Sequence, residues 1–269
     1  MKTVSRIALM EAFKDTMRRM EQNEELKRLT EKTEAGTRLY LRDFSAISPT
    51  IKCEVPNIEV VEDTTFHCAR SYVNGLDKVA VLNFANAYTP GGGVASGAMA
   101  QEECLCRSSN LYASLSIYYL LKNYYQANSK NTGPMGTDAV IYSPGVTVFK
   151  SDDPVPEELE HWFRVDVLTC AAPYFDPDKR KPVTMDKLEQ VFHDRIKNIL
   201  EVAGANDVDV LILGAFGCGA FNNPPQLVAE VFRRLLVRSG YGRWFRKVVF
   251  AIKKNDAQNT NLKAFQEVF

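Results

Sequence analysis

The chain has 269 residues, which is enough for one large domain with a sizeable core or for two small domains. Its 33 basic residues balance 33 acidic residues, so no strongly positive field is available to bind long nucleic acid through its phosphates. We therefore expect no general nucleic-acid binding. A polyanionic substrate would need a local pocket.

Membrane insertion and metal chemistry are also disfavoured. No apolar run approaches the roughly 18–20 residues that span a membrane, and the N-terminus leads into a charged stretch instead of an apolar signal core. We expect an intracellular, cytoplasmic protein that does not engage a membrane. The six cysteines and three histidines are scattered, and Cys104-Leu-Cys106 lacks zinc-ligand spacing. Reduced cysteines, no metal and no cofactor are therefore expected.

The N-terminal part predicts a helical extension followed by two strands and a long helix. Residues 4–34 carry apolar positions at helical spacing, and Gly36 is a plausible stop. We expect this helix to pack on the domain; a separate partner-binding module is the alternative. Ile58–Val61 and Lys78–Phe84 predict strands, the second of them continuous and apolar as in a buried strand. Gln101–Asn123 predicts one helix.

The remainder alternates strands and helices. Strands are predicted at Ala139–Tyr142, which continues extended over Val146–Phe149, and at Phe163–Cys170, Asp207–Leu213 and Lys247–Ile252. Helices are predicted at Pro182–Val202, Pro224–Ser239 and Asn261–Phe269. This alternation predicts an α/β fold with a mixed sheet flanked by helices on both faces. The simplest division is a single domain, 1–269, with a helical N-terminal extension, 1–50, and an α/β core, 51–269.

Two glycine-rich segments follow buried strands. The first glycine loop is Gly91-Gly-Gly-Val94, beyond the strand that ends at Phe84, and the second is Gly214-Ala-Phe-Gly-Cys-Gly-Ala-Phe221, beyond Leu213. Ligands of α/β folds bind beyond the carboxyl ends of strands, where backbone N–H groups of such loops hold phosphate. Two loops would clamp a diphosphate from both sides. The substrate-binding candidates are therefore Gly91, Gly92, Gly93, Val94, Gly214, Ala215, Phe216, Gly217, Cys218, Gly219, Ala220 and Phe221.

Two common nucleotide motifs are absent from the sequence. There is no Gly-x-x-x-x-Gly-Lys-Ser/Thr pattern, and the second glycine loop lacks the spacing of the dinucleotide-binding fingerprint. Glycines after a strand also form ordinary tight turns, so either loop alone has a purely structural alternative. The carboxylates near the first loop favour a functional interpretation.

Those carboxylates belong to the triplet Gln101-Glu102-Glu103, which lies soon after the glycines. Sequence neighbours on a helix diverge by about 100°, so we expect that Glu102 and Glu103 do not flank one bond as a conventional acid–base pair does. A division of labour is more plausible, in which one carboxylate positions ribose hydroxyls and the other transfers a proton. The alternative, a solvated helix start, would be favoured if the glycines were absent.

Together these segments resemble the microbial poly(ADP-ribose) glycohydrolases. The signature of that family is three glycines, a spacer of six to eight residues and Gln-Glu-Glu; here the spacer, Val94–Ala100, has seven residues. Val167–Pro173 and Val248–Ile252 are similar to family strands, and the second glycine loop is similar to the family's second phosphate loop. The resemblance covers most of the chain. It implies a macrodomain fold and an ADP-ribose pocket.

The resemblance also implies roles for individual residues. Glu103 matches the catalytic acid/base, which would protonate the departing ribose 2′-oxygen and then activate water. Glu102, the other catalytic candidate, and Asn86 match residues that hold the distal ribose hydroxyls. Gln101 would orient the start of the helix. Phe221 would stack on adenine or its ribose, with an ordinary core aromatic as the alternative.

The implied activity is hydrolysis of ribose–ribose O-glycosidic bonds in poly(ADP-ribose), mainly from the chain end, with release of ADP-ribose. The expected partners are poly(ADP-ribose) or an ADP-ribosylated protein. A mono-ADP-ribosyl-acceptor hydrolase and a non-catalytic ADP-ribose-binding macrodomain remain open as alternatives, as does an unrelated nucleotide-binding protein. Retention of Gln101-Glu102-Glu103 argues against the non-catalytic module, because binding alone needs no general acid.

Overall fold

The computed structural model describes residues 4–42, 49–73, 75, 77–130, 135–153, 155–176, 183–254 and 258–269. The helices are α1 (Arg6–Gln22), α2 (Glu24–Gly36), α3 (Thr65–Arg70), α4 (Gln101–Ser108), α5 (Leu111–Leu115), α6 (Tyr118–Leu120), α7 (Gln126–Lys130), α8 (Met185–Ala205), α9 (Pro225–Arg233) and α10 (Thr260–Val268). The strands are β1 (Arg38–Tyr40), β2 (Ile58–Val61), β3 (Val79–Phe84), β4 (Val140–Lys150), β5 (Glu158–Cys170), β6 (Val210–Leu213) and β7 (Lys247–Ala251). Leu121–Tyr125 and Arg234–Arg238 are π-helical, and Val94–Ser96 and Tyr241–Trp244 are 3₁₀ turns.

The described strands form one sheet in the order β1-β4-β5-β3-β6-β7-β2. Strand β4 is antiparallel to β1 and β5, whereas the neighbours from β5 through β3, β6 and β7 to β2 are parallel. The predicted mixed sheet flanked by helices is therefore confirmed. Because β3 and β6 are adjacent and parallel, their carboxyl ends lie at the same edge of the sheet. Both glycine loops begin at this edge.

The sheet separates two apolar cores, because alternate residues of a strand face opposite sides. Along β3, Ala80 and Leu82 join the core beneath α8, α9 and α10, whereas Val79 and Val81 join the core beneath α1, α3 and α4. The helices therefore cover both faces. None of the described helices is both long enough and apolar enough to cross a membrane.

The predicted N-terminal helix is two helices. Asn23 separates them, and its side chain accepts a hydrogen bond from Leu26 N at 2.9 Å, which caps α2. The predicted stop at Gly36 is confirmed as the last residue of α2. Strand β1, which the sequence pattern did not predict, then pairs with β4 at the edge of the sheet. The single-domain division with a boundary at residue 50 stays a prediction.

The prediction of one helix over Gln101–Asn123 is wrong, because the chain breaks twice. Ser109 is extended and forms a bridge with Val148, while Asn110 exchanges backbone and side-chain hydrogen bonds with Thr147 of β4. A second break follows at Ile117, which is also extended. Polar side chains that bond the strand compete with continuation of the helix. The triplet of interest therefore starts a short helix, α4.

Several other predicted boundaries shift. Ala139–Tyr142 and the extended segment after it are parts of one strand, β4, whose register shifts between Ser143 and Val146. Gly145, with φ of 62°, allows that irregularity because its backbone conformation disfavours a side chain. The strand predicted at Asp207–Leu213 starts only at Val210, after Asp207 adopts a positive φ of 56°.

Candidate active site

The start of α4 is tied to the end of β3 by one side chain. Gln101 Oε1 accepts a hydrogen bond from Phe84 N at 2.8 Å, and its Nε2 donates to Leu82 O at 2.8 Å. Nε2 also donates to Thr65 Oγ1 at 3.0 Å, which links the same point to α3. Gln101 therefore sets where Glu102 and Glu103 enter the site.

Glu102 is 2% exposed and lies under the loop that follows β3. Its Oε2 accepts a hydrogen bond from Asn86 N at 2.7 Å, and Gly91 N–H also donates to the carboxylate. Burial raises the pKa of Glu102 to about 8, and the nearby charge of Glu103 adds to the rise. The hydrogen bonds from the backbone and from Asn83 oppose the effect of burial. Around neutral pH this carboxyl group therefore retains its proton for much of the time.

Glu103 is 7% exposed, and its two oxygens differ in their partners. Oε1 accepts a hydrogen bond from Gly93 N at 2.9 Å. Oε2 is buried and has no hydrogen-bond partner among the described residues. A buried carboxylate oxygen without a partner is costly, so this atom keeps unused capacity for a substrate group.

The first glycine loop has a different task from the one predicted. Gly91 N–H and Gly93 N–H donate to Glu102 and Glu103, and Gly92 N–H donates to Thr89 O. A Cβ on Gly92, whose φ is 54°, would lie 2.5 Å from Glu103 Oε1 and 3.2 Å from Glu102 Oε2. The expectation that these N–H groups clamp a diphosphate is therefore corrected. The missing side chains let the backbone approach the two carboxylates.

The same geometry corrects the expected divergence of the glutamates. Their side chains are long enough to offset the angular difference on α4, so one oxygen of each reaches the position beside Gly92. Both residues line one cavity. The two carboxylates therefore face the same space, and the charge of Glu103 adds to the rise in the pKa of Glu102.

The second glycine loop retains free donors. None of the described residues accepts a hydrogen bond from the backbone N–H of Gly219, Ala220 or Phe221. Asn223 fixes the loop from behind, because its Nδ2 donates to Gly217 O at 2.9 Å and to Pro173 O at 2.8 Å. A Cβ on Gly219 would meet nothing within 4 Å, so this backbone faces open space. Such free N–H groups suit an anionic ligand.

The carboxylates and the second loop face each other across a cavity of about 490 Å³. This volume lies in the range of small-molecule sites, roughly 300–1,000 Å³. The predicted residues that line it are Asn86, Gln101, Glu102, Glu103, Ala215, Gly217, Gly219, Ala220 and Phe221. The structure therefore brings both predicted segments to one site.

Other predicted residues lie behind the cavity wall and do not line it: Gly91, Gly92, Gly93, Val94, Gly214, Phe216 and Cys218. Val94 is buried in the core under α1, and the Phe216 ring packs against Phe84 and Phe192. A Cβ on Gly214 would lie 2.8 Å from Ala251 O, so this glycine permits close packing of neighbouring strand ends. Val94, Gly214 and Phe216 are buried and therefore support the cavity from the protein interior.

Sequence reasoning missed several lining residues. Asp63, Thr64 and Thr65 follow β2, so the rule that sites lie beyond strand ends could have found them. Asp152 has no comparable signal: it accepts hydrogen bonds from Phe66 N at 2.7 Å and from Thr64 Oγ1 at 2.8 Å, across a long stretch of sequence. Other lining residues that sequence reasoning missed are Lys253 and Asn261, beyond β7, and Met99, Ala100, Cys104 and Ala172.

Within the described ranges of the chain, no group of three or more His, Cys, Asp or Glu side chains is arranged to hold a metal ion. The six cysteines are free thiols, and Cys104 is the one of them that lines the cavity. The groups that the cavity presents for chemistry are two carboxylates and a set of backbone N–H donors.

Known proteins share this architecture. A crystal structure of poly(ADP-ribose) glycohydrolase (PARG) from Thermomonospora curvata is 34% identical to the chain, covers 98% of it and 100% of that protein, and superposes with a TM-score of 0.87. The same enzyme bound to the inhibitor ADP-HPD gives 35% identity over 98% of this chain and 100% of that one, with a TM-score of 0.86. PARG from Deinococcus radiodurans in complex with ADP-ribose is 33% identical, with 89% of this chain and 96% of that chain covered and a TM-score of 0.78.

Sequence comparison gives the family directly. No curated protein sequence matches the chain. The family model for the microbial-type PARG catalytic domain matches residues 8–151, a stretch that contains both the first glycine loop and the Gln101-Glu102-Glu103 triplet. This match, with the structural similarity over nearly the whole chain, shows that the protein belongs to the microbial-type poly(ADP-ribose) glycohydrolases.

Proposed function

We propose that this protein hydrolyses poly(ADP-ribose) from the chain end and releases ADP-ribose, with Glu103 as the proton carrier. One observation carries the proposal: two buried glutamates and a loop with free backbone donors share a cavity of about 490 Å³. Cleavage of a glycosidic bond next to a diphosphate needs an acid at the bond and donors at the phosphates. Membership of the family supports the same activity.

The reaction needs one group that gives and then takes a proton. Glu103 donates a proton to the departing ribose 2′-oxygen while the bond from that oxygen to the anomeric carbon breaks. The resulting carboxylate then accepts a proton from the water that attacks the anomeric carbon. The unused hydrogen-bonding capacity of Glu103 Oε2 supports this role. The net result is the addition of one water across the ribose–ribose bond.

Glu102 and Asn86 hold the hydroxyls of the distal ribose. Glu102 is fixed by the backbone of Asn86, and Asn86 Oδ1 in turn accepts hydrogen bonds from Tyr88 N at 2.8 Å and Thr89 N at 2.9 Å. These bonds occupy the oxygen of the amide and leave its Nδ2 donor for a ribose oxygen. Fixed groups of this kind hold the anomeric carbon beside Glu103.

The diphosphate lies against the second glycine loop. The free N–H groups of Gly219, Ala220 and Phe221 supply donors without the need for a basic side chain. The half-buried Phe221 ring forms an edge contact with Tyr174, at 6.3 Å between ring centroids, and lines the cavity. The Phe221 ring is the platform for adenine or its ribose.

The function is tested by comparing two substrates with one product assay. The purified protein is incubated with poly(ADP-ribose) and, separately, with mono-ADP-ribosylated protein, and free ADP-ribose is quantified by chromatography. The double variant Glu102→Gln, Glu103→Gln serves as the control, and calorimetry with ADP-ribose checks that its cavity still binds. We expect release of ADP-ribose from the polymer by the wild type alone.

Other outcomes separate the remaining possibilities. Release only from the mono-modified protein would replace the proposal with a mono-ADP-ribosyl-acceptor hydrolase. Binding of ADP-ribose without turnover of either substrate would replace it with a binding module. The size distribution of the remaining polymer tests the preference for the chain end, since early appearance of fragments longer than ADP-ribose would show internal cleavage.

A further inference from the structure

A buried polar relay lies beneath Glu102. Asn83 of β3 and Thr169 of β5 are register partners, and both are fully buried. Asn83 Nδ2 donates to Thr169 Oγ1 at 3.1 Å and to Glu102 Oε1 at 3.3 Å. These side chains link the start of α4 to two strands that are already paired in the sheet. Neither Asn83 nor Thr169 lines the cavity, so they act on a substrate only through Glu102.

The orientation of the Asn83 amide indicates which protonation state of Glu102 it stabilises. An amide presents donors on one end and an acceptor on the other. In this structure the donor end faces both partners, and Oδ1 is buried with no partner among the described residues. A donor stabilises an ionised carboxylate, whereas the reversed amide would place two oxygens against each other. The observed orientation therefore suits the ionised form of Glu102.

We propose that Asn83, anchored by Thr169, is a positioning residue that favours the ionised form of Glu102, in which both oxygens accept hydrogen bonds from ribose hydroxyls. The inference rests on the proposed function for its catalytic consequence. An ionised Glu102 accepts hydrogen bonds from two hydroxyls, whereas a protonated one must donate with one oxygen. Burial opposes ionisation, and the Asn83 donor counteracts burial. Loss of that donor therefore moves the ionisation of Glu102 to higher pH.

Few other groups around Glu102 change charge over the relevant pH range. Glu103 from α4 and Cys106 one turn later face it, together with Tyr124 and Tyr125 from the π-helical segment. Burial raises the pKa of Cys106, Tyr124 and Tyr125 well above their ordinary values, so all three stay protonated between pH 5 and about 9. The charge of Glu103 contributes to the raised pKa of Glu102.

The direct test follows the Glu102 carboxyl carbon by NMR in protein labelled with ¹³C-glutamate, with Glu102→Gln used to assign the signal. The wild-type midpoint is expected near pH 8. Asn83→Leu removes the donor with little change in size, and we expect its midpoint to rise by about one pH unit, the effect of one charge-assisted hydrogen bond. An unchanged or lower midpoint in a folded Asn83→Leu protein would overturn the proposal. Because no substrate is present, failure of the proposed function would leave this test intact.

A matched pair at Thr169 covers the case in which Asn83→Leu does not fold. Thr169→Ser keeps the hydroxyl, whereas Thr169→Val keeps the shape and loses the anchor of the amide. We expect Thr169→Ser to match the wild type in the pH dependence of kcat/KM for the polymer. Thr169→Val should lose activity several-fold near pH 7 and recover most of it near pH 9. A loss in Thr169→Val that is equal at all pH values would show a merely structural role.

Discussion

At the scale of single residues, the protonation of Glu102 couples the site to pH. An ordinary glutamate has a pKa near 4.5, and burial raises that of Glu102 to about 8. Between those values the folded protein keeps a proton that the unfolded chain releases. The unfolded state then binds fewer protons, so the free energy of unfolding falls as pH rises through this window and levels off above it.

Glu102→Gln removes this dependence, since glutamine does not ionise. We expect the stability of the variant relative to the wild type to improve between pH 5 and pH 8, by up to about 1.4 kcal/mol per pH unit. Urea denaturation at pH 5, 6, 7 and 8 measures the difference. A difference in the free energy of unfolding that is the same at all four pH values would contradict the raised pKa of Glu102.

Gly92 is the residue through which the backbone reaches both carboxylates. In Gly92→Ala a Cβ would lie 2.5 Å from Glu103 Oε1, at a φ of 54° that disfavours side chains. We expect kcat/KM for the polymer to fall by on the order of 100-fold, because a misplacement of about 1 Å is enough to lose that much. The steady-state rate of ADP-ribose release, followed over a range of polymer concentrations, measures kcat/KM.

Gly145→Ala is the matched control for backbone strain. Gly145 has a similar φ of 62°, but a Cβ there would meet nothing within 4 Å, and the residue lies outside the cavity lining. This variant should lose about 1 kcal/mol of stability and keep its kcat/KM. Equal losses of activity in the two variants would attribute the Gly92 effect to strain instead of to the carboxylates.

At the scale of elements, α1 supports the segment that leads into α4. Thr16 Oγ1 donates to Arg107 O of α4, Phe13 joins the core beneath the sheet, and Leu9 on the same helix is 1% exposed. A Cβ on Gly97 would lie only 2.5 Å from the carbonyl oxygen of Arg6. The helix therefore packs tightly on the turn after the first glycine loop. From these contacts we expect α1 to unfold together with the site as one cooperative unit.

Phe13→Ala tests that unit. Phe13 is 7% exposed and meets the Tyr112 ring edge-on at 5.0 Å between centroids. Its loss should cost about 3 kcal/mol and lower Tm by roughly 6–12 °C in a single transition. Ile7→Ala, in the same helix but at a position 71% exposed, should leave Tm almost unchanged. Two separate transitions in calorimetry would instead indicate an independent N-terminal module.

The sequence pattern predicted the elements that depend on neighbouring residues, and it failed where contacts between distant residues determine the structure. The buried strand Val79–Phe84 and the spacing between Gly91 and Gln101 are visible in sequence, because apolar runs and glycines carry their own signals. The break after α4 depends on Asn110 meeting Thr147, a contact between distant parts of the chain. The position of Asp152 beneath α3 has the same origin. Such pairings have no pattern in a single sequence.

The site shows the same division. The sequence predicted that the carboxylates and the second glycine loop meet at one site, and the structure places them on one cavity, but the sequence assigned the donors of the first glycine loop to a diphosphate. The structure shows those donors bonded to Glu102 and Glu103. A glycine that approaches a ligand and one that approaches a side chain look alike in sequence. The distinction depends on the fold, which brings α4 back against the loop.

At the scale of the whole molecule, a chain without net charge must hold an anionic substrate locally. The described lining contains Asp63, Asp152 and both glutamates, and Lys253 is the one cationic side chain among these lining residues. Asp63 is paired with His67 at 2.8 Å, and Asp152 is bonded to the start of α3, so part of the negative charge is offset. Backbone donors and Lys253 must balance the remainder.

Lys253→Gln should therefore weaken ADP-ribose binding two- to five-fold, the effect of one exposed charge, and the difference should shrink as salt is added. Lys254→Gln, at the neighbouring exposed position outside the lining, is the control and should bind as the wild type does. Calorimetric titration at low and high ionic strength measures both. Equal effects of the two substitutions would assign the change to general charge and not to the cavity.

The proposed role of Glu103 as proton carrier in cleavage of poly(ADP-ribose) is tested by the single-turnover rate of Glu103→Gln on the polymer, measured beside the dissociation constant for ADP-ribose. Removal of a general acid that also acts as base is expected to slow cleavage by at least about 10³-fold, while ADP-ribose binding stays within a few-fold of the wild type. A Glu103→Gln protein that binds ADP-ribose normally and cleaves the polymer within ten-fold of the wild-type rate would show that Glu103 is not the proton carrier.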